Sequence, residues 1–279
     1  MGHGTGNALF FPVPPPVPDG AGFPTSRTPQ ATYGRLGSEE LAVGQGRTEE
    51  RRTRDQERKR RRMLQLTSRD EAMLDWMNVV RLADVDAIRW ALSAYQHGHD
   101  GPVSVRRANH WVARMAELGY LGRANLIYRS RQVVWPTFAT SGRAAPKVFQ
   151  QTTRHEVLVA AVSARYLAAG FEWSRDGSME SAQTHRADGV ARRKGHVELV
   201  EIELSAKSAA RYKVIVSDHA LRLAAENVHV RYLCTVDAGR AVSDSADRFL
   251  FRTMRPRLHV HPTFDATGRW IGDFAPSDV

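Results

Sequence analysis

The run "HVELVEIEL", residues 196–204, alternates apolar and acidic side chains and restricts the fold more than any other stretch of the chain. On a strand, residues two apart share a face. Glu201 and Glu203 therefore point together, while Val200, Ile202 and Leu204 pack the other way. Just upstream, "HRADGVAR" reads as a partner strand, with a turn at residues 193–195. A carboxylate taken out of water is costly unless a cation meets it. A divalent cation such as Mg²⁺ meets the need economically, since it accepts one or two carboxylates and keeps waters for its remaining positions. Asp188 on the partner strand can reach the same point, and Lys207 follows the strand end. With Asp188 and Glu201 as metal ligands, and Glu203 and Lys207 completing the group, the layout suits metal-assisted phosphodiester hydrolysis. A structural charge cluster on an edge strand is the competing reading.

Around this pair, residues 152–265 read as an α/β domain. The order is helix, strand, strand, helix, strand, helix, strand, with a short strand or loop at "FEWSRDGSME" and a late helix at "DSADRFLFRTM". His155 and Glu156 open its first helix, and Glu156 and Glu180 are further candidate acids. His259 and His261 stand two apart in "HVHP" but lack thiolate partners at zinc-finger spacing. Cys234, the one cysteine, lies in the apolar run "VRYLCTV" and reads as a core thiol, which suits a reducing compartment.

The N-terminal half has a different period. Residues 1–50 form a Pro/Gly-rich tail expected to be disordered, whose "PVPPPVP" would suit an aromatic groove on a partner. Residues 51–65 form a basic arm, with eight basic and two acidic residues between Arg51 and Arg62. Residues 66–145 give three helices and a hairpin. Ser68 with Glu71 predicts a capping box, and Asp84 and Ser104 predict N-caps for the next two helices. Apolar residues recur at Met73, Leu74, Met77 and Val80, then at Val85, Ile88, Leu92 and Tyr95, then at Val105, Ala108, Val112, Met115 and Leu118. This order predicts a winged helix-turn-helix. Arg106, Arg107, Asn109, His110 and Arg114 are left outward on the third helix, and Arg129 and Arg131 sit at the hairpin tip. Arginine and asparagine are the side chains that read guanine and adenine edges in the major groove. Trp111 and Trp135 read as core. Composition breaks again near Gly142 and Pro146, where a domain boundary is expected, and residues 266–279 read as a C-terminal tail.

Asp188, a hairpin, and an acidic strand ending near a lysine resemble the PD-(D/E)XK nuclease core. More closely, the chain resembles the replication-relaxation family of plasmids and actinobacterial mobile elements. The likeness rests on the N-terminal helices and on His155. It also rests on His185, Arg186, Asp188 and Gly189 of "HRADG", and on Glu201, Glu203, Leu204, Ser205, Lys207 and Ser208 of "EIELSAKS". It covers about residues 66–249. The resemblance implies a winged helix joined to a nuclease-like mixed sheet, in a DNA-binding protein of replication or mobilisation. Two departures stand out. Glu203 occupies the place of the usual lysine, with lysine displaced to Lys207, and Ala187 replaces the proline before the aspartate. Such a site is either a magnesium-dependent endonuclease or nickase, or a retired nuclease fold in a non-catalytic regulator.

The net charge of +10 fits a polyanionic partner, and double-stranded DNA is the expected one, with a homodimer compatible with it. No apolar stretch approaches the ~20 residues of a membrane helix. The N-terminus lacks the basic-then-apolar order of a signal peptide, so a cytoplasmic, nucleoid-associated protein is expected.

Overall fold

Helix α1, Ser68–Val80, begins one residue earlier than its sequence predicts. Thr67 is the N-cap, and its hydroxyl and amide are matched by the Asp70 carboxylate in a reciprocal capping box. Asp70 takes this role from Glu71 because its shorter side chain turns inward, where it is fully buried and also accepts from Trp111 Nε1 at 2.9 Å. These elements belong to a computed structural model, which describes residues 65–96, 101–126, 131–177, 185–272 and 276. The tail, most of the basic arm, Glu180, Arg129 and the side chain of Arg131 lie outside the described residues.

After α1 come β1 (Ala83–Asp84), α2 (Val85–Ala94) and α3 (Val105–Glu117), then β2 (Leu121–Leu126) and β3 (Arg131–Pro136). Asp84 and Ser104 cap α2 and α3 as expected. The three strands form an antiparallel sheet in the order β1-β3-β2. A short α4, Phe138–Ser141, ends at Gly142 in the left-handed region.

Helix α5, Gln151–Ala168, joins two halves that the sequence separates. Val159, Val162 and Tyr166 pack on the second sheet, while Ala160, Ala161 and Ala164 enter the core of the first three helices. Small side chains on that face let α2 approach closely. Trp76 of α1 donates to Ser163 at 2.9 Å, and Arg165 donates to Asp86 of α2 at 3.0 Å. The compositional break near Pro146 thus falls between two sheets that α5 packs against together.

The second sheet holds β4 (Glu172–Ser174), β5 (Gly189–Arg193), β6 (His196–Glu203), β7 (His229–Thr235) and β8 (Leu258–Phe264) in sequential order. The first three are antiparallel, and β7 and β8 continue in parallel. The β5–β6 turn places both Lys194 and Gly195 at positive φ, the geometry of a tight primed hairpin turn. Gly189 is required for a different reason, since an added Cβ there would lie 2.0 Å from the Trp173 ring. Helix α6 (Ala209–Ala225) crosses from β6 to β7. Helix α7, Val236–Phe249, starts directly after β7 under a Thr235 cap, eight residues before the start read from sequence. The C-terminal segment folds back, with Trp270 bridged to Phe264 and stacked under Arg165. Cys234 is buried, as expected, and burial pushes its thiol up to about 12.

Strand β6 is central, so its acids are buried on both faces. On the α5 face, Glu198 accepts two bonds from Arg231, at 2.6 and 2.7 Å, and one from Tyr166 at 2.5 Å. His196 Nε2 lies 2.9 Å from it. Burial would raise the Glu198 carboxyl, but Arg231, Tyr166 and His196 outweigh it and hold the group at about 2. A carboxyl depressed in the fold stabilises above its ordinary value and loses that contribution as pH falls through the folded value. Glu198→Ala strands the Arg231 charge, so a loss of about 3–5 kcal/mol is expected. Urea unfolding checks it: wild type should weaken from pH 7 to pH 3, and the variant, already lacking the contribution, should weaken less.

Candidate functional site

The opposite face of β6 carries Glu201 and Glu203 together, as alternation requires, and both are buried. Glu203 is met by Lys207, which pairs with it from the loop before α6. Glu201 is met by two imidazoles. His185 Nε2 lies 2.7 Å from its Oε1, and His219 Nε2 lies 3.2 Å from the same oxygen. His185 is positioned just ahead of β5, where its backbone N–H donates to Asp218 on α6 at 2.9 Å. His219 stands in the apolar stripe of α6 with Tyr212, Ile215, Val216 and Leu223. Its Nε2 also lies 3.2 Å from the hydroxyl of Tyr232, the register neighbour of Glu201 on β7.

Asp188 does a backbone task. Strand β5 begins at Gly189 opposite Val200, so the Ile202 amide lies beyond the reach of that strand. Asp188 Oδ2 accepts from that amide at 2.8 Å and lies 3.1 Å from His155 Nε2. Glu156, beside His155, pairs with Arg175, which also donates to the last carbonyls of α1, Val79 and Val80, and to the Asp188 carbonyl.

Burial alone would raise the Glu201 carboxyl, but hydrogen bonds from His185 and His219 bring it down to about 2. Burial would lower His185 and His155, and their carboxylate partners, Glu201 and Asp188, lift each above its ordinary value. Burial lowers Lys207 against the pull of Glu201 and Asp188.

Among the described residues, the one set of three or more donors close enough to share a cation is His185, Glu201 and His219, within 4.8 Å of one another. Asp188 is not in it. Two nitrogens and one carboxylate do not fit Mg²⁺, which demands near-ideal octahedral oxygen coordination. His219 and the Glu198–Arg231 pair were not singled out from the sequence. The signal for His219 is a histidine at a core position of a helix crossing an acidic strand.

Helix α3 presents Arg106, Arg107, Asn109 and His110 to solvent. Arg107 makes one exposed bond, to Gln96 at 3.2 Å. Arg114 is placed differently from its sequence expectation. Its side chain is 12% exposed, paired with buried Asp70 and bonded to the Gln65 carbonyl, so it fixes α3 to the start of α1. Trp111 is core, and Trp135 packs over Gly122. Val105 is exposed at the start of α3 instead of lying in its inner stripe. With Asn109 and Arg123 it lines an open cleft of about 900 Å³, to which Arg165, Arg269 and Trp270 also contribute. His259 and His261 lie on β8 beside His229 and Arg231.

No family model, curated protein or solved structure matches the chain. Among the described residues, no helix is long and apolar enough to cross a membrane.

Replacing Asp188 by asparagine removes the charge that lifts His155. Its imidazole midpoint, followed by long-range proton–nitrogen NMR, is expected to fall toward or below the ordinary 6.5 as burial takes over. An unchanged midpoint would show that Asp188 does not set it.

Proposed function

We propose that this chain is a DNA-binding protein that reads duplex DNA with α3 in a winged-helix arrangement. Its second sheet is a PD-(D/E)XK-like scaffold whose acids hold the fold together. The observation that carries the reading is the outward face of α3, where Arg106, Arg107, Asn109 and His110 stand exposed beside the β2–β3 hairpin. Arginine and asparagine on one helix face match the donor and acceptor pattern of the major groove. Arg123 on β2 adds to the same charge, and the basic sequence of residues 51–65 would supply further phosphate contacts. Likeness to the replication-relaxation family supports a role in the replication or mobilisation of a mobile element. The paired state of Glu201, Glu203 and Asp188 favours a regulator over a magnesium-dependent nuclease.

One observation favours hydrolysis as a second reading: Lys207 remains partly exposed within the field of Glu201 and Asp188. Supercoiled plasmid incubated with Mg²⁺, Mn²⁺, Zn²⁺ or EDTA separates the two. Nicked circles formed only with a cation establish the enzyme, and unchanged plasmid in every arm leaves the regulator.

A duplex selected from a random pool, titrated by fluorescence anisotropy, tests DNA binding. Arg107→Ala is expected to weaken it by about 1–3 kcal/mol and to relax preference at one base pair. If the protein makes 6–10 phosphate contacts, affinity should fall roughly 10³–10⁵-fold between 50 and 200 mM salt. A flat salt dependence would contradict the reading. Arg114→Ala should instead cost about 3–5 kcal/mol of stability, because buried Asp70 loses its cation.

A further inference from the structure

We infer that His185, Glu201 and His219 form a binding site for one borderline divalent transition cation of the Zn²⁺ class. The inference goes beyond DNA binding and does not depend on it. Two imidazole nitrogens converge on the same carboxylate oxygen, at 2.7 and 3.2 Å. All three ligand atoms lie within 4.8 Å of one another. A tetrahedral cation about 2.0–2.2 Å from nitrogen and oxygen donors needs ligands roughly 3.3 Å apart, so modest side-chain shifts admit it.

The donor chemistry selects the metal. Imidazole suits zinc, iron, nickel and copper, whereas magnesium and calcium take oxygen. Two histidines and a glutamate are also a known zinc ligand set that leaves a fourth position open. The three residues come from different places, the lead into β5, the end of β6 and the middle of α6. Packing of β6 and α6 therefore preorganises the set.

His219 is 1% exposed and turns its Nε2 to Glu201 from within the core, so packing holds the imidazole at the site. The Asp218 carboxylate fixes the backbone of His185, and the Tyr232 hydroxyl lies 3.2 Å from His219 Nε2, on the side of the ring that faces Glu201. Lys207, the nearby cation, is engaged by Glu203. His185, the most accessible of the three at 17%, marks the open side.

The test uses the full chain, stripped with EDTA and then dialysed free of it. Co²⁺ is titrated in and its visible absorption followed. Wild type is expected to bind one Co²⁺ at this site with intense bands of low coordination number, displaced by Zn²⁺ and untouched by millimolar Mg²⁺. His185→Gln should weaken this binding by more than the ~10–100-fold that loss of a supporting contact costs. His185 lies outside the helices and strands, so this variant carries the test if His219→Gln fails to fold, with circular dichroism confirming the fold. A variant with His259→Ala and His261→Ala should keep the bands, which excludes the histidines of β8. No Co²⁺ band in wild type, or bands that survive His185→Gln and vanish in the β8 variant, would overturn the inference.

Discussion

Carboxylates on a central strand cannot reach water, so each needs a cation from a neighbouring element. Strand β6 carries three buried acids, Glu198, Glu201 and Glu203. On one face Arg231 of β7 forks onto Glu198, with Tyr166 of α5 completing the contact. On the other, His185 and His219 meet Glu201, and Lys207 meets Glu203. These contacts tie β6 to β7, α5, α6 and the lead into β5. Removing a single partner leaves a buried charge, which costs far more than the pair contributes. The arrangement therefore fixes the register and packing of the second sheet more firmly than apolar contact alone.

The same neutralisation separates the two halves in charge. The acids of the second sheet are engaged with histidine, lysine and arginine. The basic side chains at the exposed start of α3 have few internal partners among the described residues, with Arg107 making one exposed bond, whereas Arg114 in the last turn is part-buried against Asp70. Helix α5 holds both arrangements in one unit through its alanine face and its Val159–Tyr166 face. A helix with an exposed basic face is thus carried on a scaffold whose polar centre is internally paired, and the one donor set there able to take a cation, among the described residues, is nitrogen-rich.

Alternation made the shared face of Glu201 and Glu203 legible, because strand geometry fixes it from spacing alone. Helical spacing likewise showed the inward stripe of α1 and the caps at Asp84 and Ser104. Partners were harder to read. His219 sits among apolar residues of α6, so periodicity counts it as core, and its contact with Glu201 depends on how α6 lies over β6. Arg231 is hidden in an apolar strand for the same reason. Arg114 looked outward on the helical wheel, and only the inward turn of Asp70 draws it into the fold. Pairing between distant segments is a tertiary fact with no local signature. The early start of α7 has a similar origin, since Thr235 caps it at the end of β7, before its apolar stripe becomes dense.

The pairing of the β6 acids is tested most directly by carbon-detected NMR titration of glutamate carboxyls in the metal-free protein. Paired acids predict that Glu201 and Glu198 stay ionised far below the ordinary 4.5, with midpoints near 2 or no inflection before the fold is lost. Midpoints at or above 4.5 in the folded protein would contradict it. They would mean that the acids of β6 lack cations of their own and await one from outside.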